Sequence, residues 1–89
     1  MNSKESWALK IDHDVYKNLA KIPSGQAEKI LNVIENLPSD LYFGDIKKIK
    51  GEKNLWRKRV GAYRIFYEIH FDKKFIHVIW LECRTSNTY

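Results

Sequence analysis

The chain has 89 residues, 44% of them apolar and 13% aromatic, with a formal net charge of +5. That length supports one domain with a modest core, and the aromatic content argues against disorder. A single cysteine, Cys83, excludes an intrachain disulfide and a cysteine-based metal site. No apolar run approaches the roughly 18–20 residues of a membrane span, and the first residues lack the apolar stretch of a secretion signal. One domain over residues 1–89, in a reducing cytoplasm and away from membranes, is therefore expected.

In chain order, WALKID at 7–12 alternates, with Trp7, Leu9 and Ile11 on one side, and predicts a half-buried strand. Helical spacing follows at Val15, Leu19 and Ile22, then at Ala27, Ile30, Leu31, Ile34 and Leu37. The two blocks are divided at Pro23–Ser24–Gly25, where proline disfavours continuing the first helix and Ser24 is suited to cap the second. Pro38 is expected to end the second helix, and Tyr42 and Phe43 to pack the loop that follows. Three more strands are predicted, roughly at 54–60, 63–71 and 75–83. Helices gathered on one face of a mostly antiparallel sheet make an α+β fold. Trp7, Trp56 and Trp80, with the Tyr and Phe residues, are expected to supply much of its core.

Charge is unevenly spread. Residues 1–45 hold five Lys/Arg against seven Asp/Glu, whereas residues 46–89 hold eleven against four. Eight of those cations (Lys47, Lys48, Lys50, Lys53, Arg57, Lys58, Arg59 and Arg64) are close together, with Glu52 as the one acid among them. Such density suits a polyanion such as nucleic acid, or an acidic protein partner; a solvated basic face is the alternative that charge alone leaves open.

The hairpin WRKRVGAYRIFYEI gives these charges an address. A two-residue turn at Gly61–Ala62, with glycine first, suits type II′. It pairs Val60 with Tyr63, Arg59 with Arg64, Lys58 with Ile65 and Arg57 with Phe66. Alternation then puts Trp56, Val60, Tyr63, Ile65, Tyr67 and Ile69 on a core face, with Lys58 as its one misfit. The other face carries Arg57, Arg59, Arg64, Phe66, Glu68 and His70. Arg59 opposite Arg64 costs the hairpin roughly 0.2–1 kcal/mol. A phosphate between the two guanidinium forks explains that cost. A carboxylate from Glu52, Glu68 or Glu82 is the structural alternative.

Arginines can stabilise charge on a phosphate, but they are poor proton acceptors, so any acid–base chemistry on that phosphate needs another group as acceptor. Lys50, Lys58 and His70 are the candidates for that acceptor, with Lys58 on the wrong face. Phe66 and Tyr89 are suited to stack on bases of single-stranded RNA. No Asp/Glu/His cluster has metal-ligand spacing, so neither metal nor other cofactor is expected. Cys83, in an apolar strand, is expected to be a buried thiol. Arg84 shares parity with Ile76, Val78 and Trp80, and a three-residue loop near Asp72–Lys74 or a bulge would bring it to the Arg64 face.

Three features resemble the RelE/ParE toxin superfamily of bacterial and archaeal toxin–antitoxin modules. They are the helical pair LAKIPSGQAEKILNVIENL, IKG followed by WRKRVGAYRIFYEI, and a last apolar strand closing on Arg84 with a terminal Tyr89. The resemblance spans about residues 7–89. It implies two antiparallel helices on one face of a curved, mostly antiparallel four-stranded sheet of microbial RNase type. It also implies a metal-independent endoribonuclease that cuts mRNA in the ribosomal A site and is masked by a cognate antitoxin in a hetero-oligomer. By position, Arg64 matches the family arginine that stabilises the scissile phosphate. Arg84 matches the one that assists the leaving group, and Tyr89 the tyrosine that orients or stacks on the substrate base. Lys50, Arg57 and Arg59 fall where RelE-type members carry cations. Two other functions are compatible with this fold: a ParE-like inhibitor of DNA gyrase without nuclease activity, and a non-catalytic relative that only binds RNA or antitoxin.

Overall fold

The computed structural model describes residues 7–39 and 44–83. In chain order the elements are β1 (Ala8–Ile11), α1 (His13–Leu19), α2 (Ser24–Glu35), β2 (Ile46–Lys48), β3 (Leu55–Val60), β4 (Tyr63–His70) and β5 (Phe75–Cys83). The strands form one sheet in the order β1-β5-β4-β3-β2. Only β1 with β5 is a parallel pair among them. The α+β class is therefore as expected, but the sheet has five strands rather than four. The extra strand, β2, is three residues of IKK, too short for alternation to be read from sequence.

Asp12 ends β1 and starts α1 in one step. Its backbone N–H donates to the carbonyl of Val78 at 2.8 Å, while its Oδ2 accepts from the Asp14 N–H at 3.1 Å. A short acidic side chain at the N-cap satisfies a helical donor that has no carbonyl of its own. The second helix begins differently. Pro23 occupies its N-cap with no side-chain hydrogen bond, and Ser24 is the first helical residue rather than the cap. The helix also ends earlier than Pro38, at Glu35, with Asn36 as its C-cap.

Helical and strand periodicities converge on one core: Val15 and Leu19 of α1, Ile30 and Ile34 of α2, Leu37, and Ile65, Tyr67, Ile69, Ile76, Val78 and Leu81 of the two central strands. Each buried aliphatic side chain of this kind contributes about 1.5–3 kcal/mol relative to exposure. Trp7 and Trp56 pack against this core from its margin, whereas Trp80 is 44% exposed.

Trp80 leaves the core because of a bulge. Tyr67 pairs with Val78 but Phe66 pairs with Trp80, so Ile79 is the extra residue on β5. An added residue reverses which face each later side chain takes. Before it, Ile76 and Val78 point into the core. After it Leu81 does so, and Trp80 and Glu82 lie opposite Phe66 and Arg64. The β4–β5 loop itself spans four residues, since His70 pairs with Phe75.

Candidate nucleic-acid interface

The β3–β4 hairpin has the register expected from its turn: Val60 opposite Tyr63, Arg59 opposite Arg64, Lys58 opposite Ile65 and Arg57 opposite Phe66. Gly61 makes this possible with a φ of +59°. Only glycine takes a positive φ there without a steric cost, and positive φ at the first central residue alone is the type II′ pattern.

Beside the hairpin, β2 pairs Lys47 with Arg57 and Lys48 with Trp56. The result is a groove of about 430 Å³ lined by Lys47, Lys48, Ile49, Lys50, Arg57, Arg59, Arg64 and Phe66. Four residues singled out from sequence as RNA-contacting (Lys50, Arg57, Arg59 and Phe66) thus share one concavity with Arg64. Lys47 and Lys48 complete it. They belonged to the same basic run, and it is strand β2 that turns them toward the hairpin. Arg84 and Tyr89 lie outside the described residues, as do Tyr42 and Phe43.

Both members of the facing arginine pair have carboxylates at hand. Arg64 Nη1 donates to Glu82 Oε1 at 3.4 Å, and Arg59 Nε lies 3.8 Å from Asp45 Oδ2. Of the three glutamates considered from sequence, Glu82 is the one that meets an arginine, and Asp45 was not foreseen. Asp45 is held in place by its backbone, whose carbonyl accepts from the Arg59 N–H at 2.9 Å. All four side chains are 31–56% exposed, so these pairs contribute at most about 1 kcal/mol each. They soften the repulsion between the arginines without neutralising the groove.

Lys58 is 8% exposed on the core face, as the register requires. It shares a pocket with Asn32, Val33, Asn36, Gly44 and Asp45, at the C-terminal end of α2. The carbonyl end of a helix favours a cation, and the two asparagines and Asp45 make this a polar pocket, which suits a lysine on the core face. Gly44 accommodates it: with φ at +92°, a Cβ there would sit 3.1 Å from Lys58 Cε.

His70 belongs to a separate cluster. Its Nε2 is 3.2 Å from Glu68 Oε1, which also lies 3.8 Å from His77 Nδ1, and His77 Nε2 is 3.8 Å from Asp12 Oδ1. Phe75 lies against both rings, at 5.2 and 6.2 Å. His70 lies six steps along the strand from Arg64, on the order of 20 Å. The structure does not bring His70 to the groove. Among the described residues no group of three or more His, Cys, Asp or Glu could hold a metal ion. Cys83 is exposed rather than buried: it shares the side of Leu81 but is the last residue of β5, at the edge of the core.

The α+β architecture that carries this groove, two helices on a mostly antiparallel open sheet, matches solved RelE structures. The family model described as "ParE toxin of type II toxin-antitoxin system, parDE" matches residues 8–84, and the chain belongs to this family. Toxin RelE3 of Methanocaldococcus jannaschii is 43% identical over 61 residues, covering 63% of this chain and 68% of that one. A RelE1 protein of the same organism is 30% identical over 73 residues, covering 76% and 79%. Among solved structures, the archaeal RelE–RelB complex of Pyrococcus horikoshii OT3 aligns with a TM-score of 0.75 at 26% identity, covering 93% of this chain and all of that one. The chain is thus a toxin of a type II toxin–antitoxin system, of RelE/ParE type.

Proposed function

We propose that this toxin is a ribosome-dependent endoribonuclease that cleaves mRNA in the A site, in the cytoplasm, under the control of a cognate antitoxin. The observation that carries this reading is the convergence of six cations and Phe66 on one groove. Cations along a groove track a phosphate backbone, and an aromatic face among them takes a base, which together suit single-stranded RNA. The RelE–RelB complex among its structural neighbours supports an antitoxin partner.

In this mechanism the 2′-oxygen of one nucleotide attacks the adjacent phosphorus and the bond to the 5′-oxygen breaks. A 2′,3′-cyclic phosphate and a 5′-OH are left. Arg64 stabilises the charge that builds on the phosphorane oxygens, where preorganised donors are worth most. Arg57, Arg59 and Lys50 bind the flanking phosphates and Phe66 a base. Arg84 donates a proton or hydrogen bond to the leaving 5′-oxygen, and Tyr89 orients the base. Lys50 is the groove's own candidate for accepting the 2′-OH proton; Lys58 lies on the opposite face. The test is the chemistry of the cut ends in excess EDTA. Cyclic phosphate and 5′-OH termini that vanish in Arg64→Ala are expected; 5′-phosphate ends or a requirement for metal would refute the mechanism.

A further inference from the structure

We propose that Glu82 is a built-in competitor for the Arg64 guanidinium, a positioning residue that an RNA phosphate must displace before Arg64 can grip it with two hydrogen bonds. This rests on the reading of the groove as an RNA site and adds to it a residue that sets affinity.

A guanidinium offers two edges for bidentate contact, Nε with Nη2 and Nη1 with Nη2. In this structure each edge has lost one donor. Nε is buried with no hydrogen-bond partner among the described residues, and Nη1 is donated to Glu82 Oε1 at 3.4 Å. Nη2 is the remaining amino group, which supports a single contact only. Burial fixes the first edge, whereas the second is closed only by Glu82, whose side chain is 44% exposed and borders solvent. Opening the terminal edge therefore means releasing Glu82.

The fold places this carboxylate deliberately within reach. Glu82 is the direct cross-strand partner of Arg64, and it takes that position only because the Ile79 bulge reverses the alternation of β5. Without the bulge Glu82 would point toward the helices. The contact holds Arg64 in one orientation when the groove is empty, sparing the Arg59–Arg64 pair its full repulsion. When RNA arrives, the same carboxylate repels the incoming phosphate.

The experiment measures binding of a short single-stranded RNA by the full chain carrying Glu82→Gln, Arg64→Lys or both, by fluorescence anisotropy. Glutamine keeps the shape and removes the charge. Binding about two- to five-fold tighter in Glu82→Gln is expected, from the energy of a partly exposed ion pair. That gain should shrink in the Arg64→Lys background, since a lysine has no edge to unblock and only the lost repulsion of the carboxylate remains; a Glu82 that acts by its charge or structure alone would give the same change in both backgrounds, which overturns the competition. Unchanged or weaker binding in Glu82→Gln, with the wild type binding normally, overturns the role of Glu82 alone. Absence of RNA binding by wild type and Glu82→Gln alike overturns the RNA reading and this inference with it.

Discussion

Six cations in one groove make a quantitative claim about salt. If each of Lys47, Lys48, Lys50, Arg57, Arg59 and Arg64 meets one phosphate, the logarithm of affinity for single-stranded RNA falls with the logarithm of salt at a slope of about −4, from −0.7 per contact. Between 50 and 200 mM salt that slope corresponds to a loss of about 300-fold. Replacing Lys47, Lys48 and Lys50 by glutamine removes half the contacts. All three side chains are exposed, so the fold should be unaffected. The expected slope becomes about −2, and the loss over the same salt range about 20-fold. Anisotropy of a labelled RNA titrated at several KCl concentrations measures both. A wild-type slope shallower than about −1, or one identical in the triple variant, would refute the claim that this groove tracks a phosphate backbone.

Four further outcomes follow from particular contacts. Phe66→Ala should weaken RNA binding by about 1–3 kcal/mol in the same assay while leaving the salt slope unchanged, because a stacking face and not a charge is lost. His70→Gln should leave cleavage at the wild-type rate, since the strand holds this residue roughly 20 Å from Arg64; a large rate loss would return His70 to the site. Gly61→Ala should cost about 1–2 kcal/mol in urea unfolding. Nothing lies within 4 Å of the added Cβ, so the penalty is that of the positive φ alone. Asp12→Ala should cost about 1 kcal/mol by loss of the α1 cap, read as a lower urea midpoint with an unchanged m-value.

The hairpin could be read from sequence because its turn has only one good register: glycine followed by alanine, flanked by strict alternation, fixes every pair from Arg57–Phe66 to Val60–Tyr63. The same rule exposed Lys58 as a cation on the core face. Local alternation failed at β5, where one unpaired residue at Ile79 moves Trp80 to the surface and Glu82 to Arg64. Nothing in FIHVIWLECR marks that position, since the run is apolar on both parities. Strand β2 was hidden for a different reason. Three residues rich in lysine carry no period, and they become a strand only because Arg57 and Trp56 offer an edge to pair with. Asp45 escaped notice for the same cause, its place beside Arg59 depending on that pairing. The two helices were found from spacing, but their ends shifted where Pro23 rather than Ser24 took the cap.

The central claim is that Arg64 and its groove cut mRNA on the ribosome. It is tested most directly by primer extension on mRNA held on ribosomes with an empty A site, comparing wild type with Arg64→Ala, and with a gyrase supercoiling assay in parallel. Cuts within the A-site codon that disappear in Arg64→Ala, with supercoiling untouched, are the result predicted here. Intact mRNA with inhibited gyrase would contradict it and assign the toxin to the gyrase-directed branch of its family.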